Sequence, residues 1–244
     1  MGIERFFIEH APQGEQVSLS EDESHHLRRV RRLQPGDEVV LFDGSGTDYV
    51  GRIESFGRGR ARIRIERTEA PGRELGVAVT LAVALVKKRA MAQLVDQCTQ
   101  LGVARLTPIV CEWSVVRPGG SKLGRWRRIA IEACKQCERS VVPEIAEPVP
   151  LDVVLAEVPR YDRAVMGATR SGSEPLGSMD LPLAGRVLCL IGPEGGFTDA
   201  EIEAAVDAGC TLASLGRSVL RTETAAAAAM AVIAQLAGPP RRAY

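Results

Sequence analysis

The sequence predicts an α/β protein with two modules: a small β-barrel over residues 1–72 and a parallel α/β sheet over residues 73–244. Short β-rich segments separated by turns that contain Gly and Asp fill the first part of the chain. From Val77 onward, apolar strands alternate with helical patterns, which is typical of a parallel sheet. The dipeptide Pro71-Gly72 separates the two parts.

The first module is predicted to hold four strands and one helix. Ser20 and Glu23 form a capping-box pattern ahead of a helix over residues 25–32. The predicted strands cover residues 6–8, 38–42, 49–53 and 61–65.

The second module is predicted to hold five strands and four helices. Thr198 and Glu201 form a second capping box, and Gly102 and Gly209 stand where helices end. The predicted strands cover residues 77–86, 106–111, 163–166, 187–191 and 212–215. The predicted helices cover residues 89–101, 123–139, 198–208 and 222–236.

Composition excludes several classes of protein. The 244 residues are 45% hydrophobic and 25% charged, which is ordinary for a globular chain. Lys plus Arg equals Asp plus Glu at 31 each, so any contact with nucleic acid must come from local basic patches. Aromatic residues are only 4%, which argues against an extended base-stacking surface. No membrane span and no signal peptide are recognisable, so we expect a cytoplasmic protein.

Six cysteines in a chain of this length are typical of a reduced protein. Cys134 and Cys137 form a CxxC pair, but they fall inside a helical apolar pattern. All three histidines lie far upstream, so a zinc site lacks ligands near the pair. We therefore interpret both cysteines as small core residues, with metal or redox chemistry as the alternative.

Two glycine-bearing loops, at residues 191–197 and 215–224, follow predicted parallel strands. Ligands bind beyond the carboxyl ends of such strands. Neither the dinucleotide fingerprint nor the phosphate-binding P-loop pattern is present. The first loop carries Glu194 beside a rigid proline, which suits a neutral or cationic ligand better than a polyanion. These loops predict a binding site.

The same loops resemble a known family. The strings LIGPEGGFTDAEIE and LGRSVLRTETAAAAA are similar to the two signature motifs of the bacterial 16S ribosomal RNA uracil-N3 methyltransferases, which belong to the SPOUT superfamily of trefoil-knot methyltransferases. Supporting matches occur in order along nearly the whole chain, at residues 25–32, 36–44, 101–108 and 132–143.

The resemblance implies a PUA-like N-terminal barrel that holds RNA and a knotted C-terminal domain that binds S-adenosylmethionine and dimerises. The implied activity is methylation of N3 of a uridine in 16S ribosomal RNA. The implied partners are that RNA or the small ribosomal subunit and a second copy of the chain, with no metal and no membrane.

The family motifs assign cofactor-binding residues by position, and the chemistry of N3 methylation suggests roles for two charged residues in the second loop. Arg221 is the expected contact for negative charge on the substrate and Glu223 the weaker candidate for a base; alternatively, Glu223 caps the last helix and pairs with Arg221. Glu194 lies near the cationic sulfonium or caps its own loop. The expected cofactor-binding residues are Ile191, Gly192, Pro193, Glu194, Gly195, Leu215, Gly216, Val219, Leu220, Arg221, Thr222, Thr224 and Ala225.

The expected RNA contacts are basic residues from both modules, although arginine is also common on solvated surfaces. They are Arg5, Arg28, Arg31, Arg32, Lys88 and Arg139, and the further candidates are Arg29, Lys87, Arg89, Lys122, Arg125, Arg127 and Arg128. The sequence departs from the family at Asp96-Gln97 and Gln100 in one helix and at Trp113, where arginine is expected.

Three functions compete at this point. The first is uracil-N3 methylation, and the second is methylation of a ribose 2′-hydroxyl or another base by the same superfamily. The third is a non-catalytic RNA-binding or ribosome-assembly protein, which the intact glycine loops disfavour.

Overall fold

A computed structural model describes residues 3–116, 122–169 and 172–237. The chain divides into two compact units, one of Met1–Arg73 with Cys134–Val142 and one of Glu74–Ala133 with Pro143–Tyr244. The division near residue 73 lies close to the predicted boundary. The segment Cys134–Val142 differs from the prediction, because it belongs with the first unit.

The first unit contains a five-stranded sheet in the order β1-β3-β4-β5-β2. Strand β1 pairs with β3 in parallel, and the other neighbours are antiparallel. All four predicted strands are present, and the unpredicted one has only three residues. The strands are β1 (Glu4–Phe7), β2 (Gln16–Ser18), β3 (Glu38–Phe42), β4 (Asp48–Gly57) and β5 (Arg60–Glu69).

The helix of this unit begins earlier than predicted. Helix α1 covers Glu21–His25 and continues as a π-helical turn over His26–Val30. Ser20 is its N-cap, and its hydroxyl accepts a hydrogen bond from the Glu23 backbone N–H at 3.2 Å. The capping residue was recognised correctly, but the acidic residues after it already belong to the helix.

A buried ion pair connects β1 to β4. The Arg5 guanidinium donates to both carboxylate oxygens of Asp48 at 2.7 Å. The Ser140 hydroxyl donates to Asp48 at 2.5 Å, and Arg5 donates to the carbonyl of Arg139 at 3.3 Å. These bonds attach residues 139–140 to the barrel strands, which explains why this late segment belongs to the first unit.

The burial of Arg5 and Arg139 corrects an expectation. The side chain of Arg5 is 5% exposed, and Arg139 is 4% exposed as a residue. A phosphate has no access to Arg5 without disruption of its pair with Asp48. The structure therefore contradicts the expected RNA contacts at these two arginines.

The second unit is built on a parallel sheet in the order β11-β13-β10-β12-β6-β7-β8, with β9 also paired with β7. All five predicted strands are present. The three unpredicted strands have two residues each, too few to show a periodicity. The strands are β6 (Val77–Ala84), β7 (Arg105–Val110), β8 (Glu144–Ile145), β9 (Val149–Pro150), β10 (Arg163–Gly167), β11 (Glu174–Pro175), β12 (Gly185–Ile191) and β13 (Thr211–Ser214).

The predicted helices are present with small shifts at their ends, and one short helix was not predicted. The capping box is confirmed: Thr198 Oγ1 accepts from the Glu201 N–H at 3.1 Å, and the Thr198 N–H donates to the Glu201 carboxylate at 2.8 Å. The helices are α2 (Lys88–Gln100), α3 (Leu123–Cys137), α4 (Leu151–Leu155), α5 (Asp199–Asp207) and α6 (Thr222–Ala237), with 3₁₀ turns at Val158–Arg160 and Leu176–Ser178.

The cysteine pair is partly as predicted. Cys134 is fully buried and donates from Sγ to the carbonyl of Val141 at 3.4 Å, whereas Cys137 is half-buried. Burial raises the pKa of Cys98 and of Cys189 to about 12, so these thiols stay protonated near neutral pH.

Within the described ranges, no group of three or more His, Cys, Asp or Glu side chains is arranged to hold a metal ion. No helix in those ranges is long and apolar enough to span a membrane.

The buried pair is expected to stabilise the first unit. Replacement of Asp48 with Ala leaves the Arg5 charge buried without its partner, so the free energy of unfolding should fall by about 3–5 kcal/mol. The exposed pair between Arg67 and Glu69, also 2.7 Å long, is the matched control, and Glu69→Ala should cost less than about 1 kcal/mol. Denaturant unfolding followed by circular dichroism measures both. Equal losses in the two variants would contradict this account.

Candidate functional site

Three loops meet at the carboxyl edge of the parallel sheet. Strands β13, β10 and β12 are neighbours and run in the same direction, so the loops that follow them start side by side. These loops contribute residues 167–169, 191–197, 215–216 and 218–220 to the wall of a cavity of about 350 Å³. The first turns of helices α5 and α6 complete the wall with Ile202, Thr222 and Ala225.

The cavity brings together most of the residues expected to bind the cofactor. Arg221 and Thr224 are absent from its lining, and both are exposed. The sequence analysis missed Gly167, Ala168 and Thr169, although their position directly after a predicted strand was a usable signal. The expected residues that line the cavity are Ile191, Gly192, Pro193, Glu194, Gly195, Leu215, Gly216, Val219, Leu220, Thr222 and Ala225.

The glycines of these loops allow close packing of the backbone. A Cβ atom on Gly192 would lie 3.0 Å from the ring of Phe197, which is tighter than ordinary van der Waals contact. Gly216 has a φ of +130°, which side chains rarely adopt. Both positions therefore require glycine for the loops to keep this backbone path along the cavity.

A hydrogen bond joins two of the three loops. The Thr222 hydroxyl donates to the carbonyl of Gly192 at 3.0 Å, and Thr222 is 2% exposed. Thr222 is also the first residue of α6, so the bond fixes the start of that helix beside the loop after β12.

Trp113 packs against the same loop. A Cβ atom built on Gly195 would lie 3.3 Å from the side chain of Trp113, which is 51% exposed. The segment around Trp113 is held by two hydrogen bonds: Cys111 N–H donates to Ser114 Oγ, and Glu112 N–H donates to the Glu201 carboxylate, both at 2.8 Å. The sequence marked Trp113 as a departure from the family, and the structure places it beside the cavity.

The expected catalytic pair lies at the rim of the cavity. Arg221 is exposed directly before α6, and Glu223 is half-buried in the first turn of that helix. The Arg221 carbonyl accepts from Ala225 N–H at 2.8 Å. In the part of the chain that the structure describes, no ion pair joins Arg221 to Glu223, so the alternative of a mutual salt bridge is not formed.

The remaining expected RNA contacts are accessible. In the first unit, the exposed guanidinium of Arg28 lies 5.3 Å from the centroid of the Phe56 ring. Arg31 pairs with Glu4 at 3.0 Å, and Arg32 is exposed with a φ of +58°. In the second unit, Lys88 lines another cavity.

Comparisons with known proteins agree with this geometry. A family model described as an RNA methyltransferase domain matches residues 73–234, and one described as an RNA methyltransferase PUA domain matches residues 19–66. The ribosomal RNA small subunit methyltransferase E of Synechocystis is 34% identical over 89% of this chain and 72% of its own.

Two similar solved structures contain a cofactor. A putative methyltransferase from Legionella pneumophila, solved with bound S-adenosylmethionine, is 31% identical with a TM-score of 0.86 and covers 96% of this chain and 97% of its own. The ribosomal RNA small subunit methyltransferase E of Neisseria gonorrhoeae, also bound to S-adenosylmethionine, is 28% identical with the same TM-score and covers 96% of this chain and 98% of its own. The sequence resemblance is confirmed, and the chain belongs to the RNA methyltransferase family with an N-terminal PUA domain.

Proposed function

We propose that this chain transfers a methyl group from S-adenosylmethionine to N3 of a uridine in the 16S ribosomal RNA of the small subunit, in the cytoplasm. The observation that carries the proposal is the cavity formed by the three loops after β10, β12 and β13, in a chain whose similar structures bind this cofactor.

The cavity suits the cofactor in size and chemistry. Its volume of about 350 Å³ lies in the range of small-ligand pockets. Leu215, Val219 and Leu220 supply apolar surface, and the glycine backbone supplies donors and acceptors for an adenine ring and a ribose. Glu194 is the one charged residue among the described residues that line it, and a carboxylate favours the cationic sulfonium. When bound, the cofactor supplies a methyl group that its sulfonium already activates.

The residues at the rim of the cavity stabilise the negative charge on the substrate and accept its proton. Methylation at N3 requires loss of the N3 proton, which leaves negative charge shared between O2 and O4 of the uracil. The guanidinium of Arg221 stabilises that charge or the neighbouring phosphate, and the N-terminus of α6 adds a favourable dipole. Glu223 lies in the same turn and is the candidate acceptor for the proton.

The modified position is the decisive test of this function. Nucleoside analysis of 16S ribosomal RNA from a strain that lacks this gene should show loss of N3-methyluridine, and the purified chain with S-adenosylmethionine should restore it. Loss of a ribose-methylated nucleoside or another methylated base would instead support the second function. An unchanged nucleoside profile would contradict enzymatic activity on this RNA.

We also propose that the chain works as a homodimer, as the family resemblance implies. Val219 lines the cavity and is 80% exposed, so a second copy that covers this apolar side chain would shield the site. Light scattering coupled to size-exclusion chromatography should give twice the mass of 26.2 kDa. A monomer at micromolar concentration would contradict the proposal.

Substitution of Gly192 with Ala should weaken cofactor binding. The added Cβ would crowd the ring of Phe197 at 3.0 Å and displace the loop backbone, so the dissociation constant should rise at least about tenfold. Gly177→Ala is the matched control, because a Cβ there meets nothing within 4 Å and Gly177 lies outside the cavity. Calorimetric titration with S-adenosylmethionine measures both variants, and equal affinities would contradict the assigned binding role of the loop.

Substitution of Arg221 with Ala should separate turnover from cofactor binding. Since Arg221 lies at the rim and outside the lining, methyl transfer should fall by about 100-fold or more while cofactor affinity stays within about threefold. Arg217→Ala, an exposed arginine of the same loop outside the lining, is the control and should retain activity. Near-normal turnover in the Arg221 variant would remove this residue from the mechanism.

A further inference from the structure

A second cavity of about 360 Å³ lies in the methyltransferase unit, at the same edge of the sheet as the first. Strand β6 pairs in parallel with β12, and Val83 lies opposite Ile191. Neighbouring strands are about 4.8 Å apart, so the chain leaving β6 starts beside the loop that lines the cofactor cavity. The residues that follow β6, from Leu85 to Lys88, line the second cavity.

One segment reaches both cavities. Trp113 packs against Gly195 of the cofactor cavity, and Val116, three residues later, lines the second cavity. The second cavity is therefore a neighbour of the cofactor cavity within one folded unit.

The two cavities differ in charge. Among the described residues, Glu194 is the charged one in the lining of the first cavity, whereas the lining of the second has four cationic residues and no acidic one. None of these cations is ion-paired with another described residue. They are Lys87, Lys88, Lys122 and Arg125.

The backbone around the second cavity also favours an anion. Helix α2 begins at Lys88, and its N-cap residue Lys87 provides no side-chain capping bond. Helix α3 begins at Leu123, directly after Lys122. The first residues of two helices thus contribute to the lining, and the N-terminus of a helix carries a partial positive charge.

The floor of the second cavity is apolar. Leu85, Val86, Met91 and Trp126 line it, and each is no more than 5% exposed. An apolar floor beneath a cationic rim suits a ligand with a flat apolar part and an attached phosphate. A nucleotide has this chemistry.

We propose that this second cavity binds the nucleotide next to the methylated uridine in the substrate RNA. The cationic rim binds the phosphate that links the two nucleotides, and the apolar floor contacts the neighbouring base. This inference rests on the proposed function, because it assumes that RNA is the substrate. It makes the second cavity a determinant of which uridine is positioned at the cofactor.

The variant Lys87→Gln/Lys122→Gln tests the proposal, because it removes two charges and leaves the backbone bonds at both helix starts in place. The carbonyl of Lys87 still accepts from Met91 N–H, and that of Lys122 still accepts from Trp126 N–H. Arg160→Gln/Arg186→Gln is the control with the same change of charge. Arg160 lies shortly before β10, and Arg186 lies at the start of β12. Both are therefore at the edge of the sheet opposite the two cavities.

Three quantities are measured for each variant. The first is steady-state methylation of small subunits from the deletion strain, and the second is the affinity for a labelled single-stranded fragment of their RNA as a function of salt concentration. The third is the affinity for S-adenosylmethionine. In the lysine variant, KM for the subunit should rise about tenfold with kcat near normal and with unchanged affinity for S-adenosylmethionine. The slope of log affinity against log salt should become shallower by up to about 0.7, since the rim binds one phosphate and one phosphate contact on a single strand contributes about 0.7. The arginine control should match the unsubstituted chain.

A lysine variant with the KM and salt slope of the control would overturn the proposal. The proposal would also be overturned if the lysine variant lost affinity for uridine monophosphate but kept the RNA affinity and the salt slope of the unsubstituted chain. The cavity would then bind a small anion and not the substrate RNA. Failure of the unsubstituted chain to methylate any subunit would contradict the proposed function separately. The salt slope, which needs no turnover, would still decide whether RNA uses this cavity.

Discussion

The hydrogen bond from the Thr222 hydroxyl to the Gly192 carbonyl is the interaction on which the site depends. It joins the loop after β12 to the first residue of the last helix, two segments 30 residues apart in the chain. Because Thr222 is buried, water does not compete for this bond. Its effect is to hold the start of α6 beside the loop after β12, so that both segments line one cavity.

The parallel sheet makes this arrangement possible. Adjacent parallel strands end at the same edge, so glycine loops that are distant in sequence become neighbours without further adjustment. The same rule places the second, cationic cavity beside the first, because β6 is the next strand after β12. One sheet edge therefore offers a site for a cationic cofactor and a site for an anionic nucleotide, which is the combination that methyl transfer to RNA requires.

The sequence predicted the local features well, because their signals are local. The Thr198–Glu201 capping box, the glycines that end α2 and α5, and the two loops around Gly192 and Gly216 each involve residues close together in the chain. Their roles follow from backbone conformation and helix capping, which short patterns encode. The family motifs then identified eleven of the residues that line the cofactor cavity. The trefoil knot implied by the family stays a prediction.

The features that the sequence did not predict depend on contacts between residues that are distant in the chain. Arg5 resembles a surface cation in the sequence, and only the fold brings it to Asp48, 43 residues away, and to Ser140, 135 residues away. Residues 167–169 follow a predicted strand, but their part in the cavity depends on the order of the strands, in which β10 lies between β12 and β13. Lys87, Lys88, Lys122 and Arg125 were each candidate phosphate contacts in the sequence, but their clustering in one cavity is a property of the fold that the sequence does not show. The most direct measurement of the central claim is a crystal structure of the chain grown with S-adenosylmethionine: the account predicts cofactor density against the backbone of residues 192–195 and 215–216, and density located elsewhere, with this cavity empty, would contradict it.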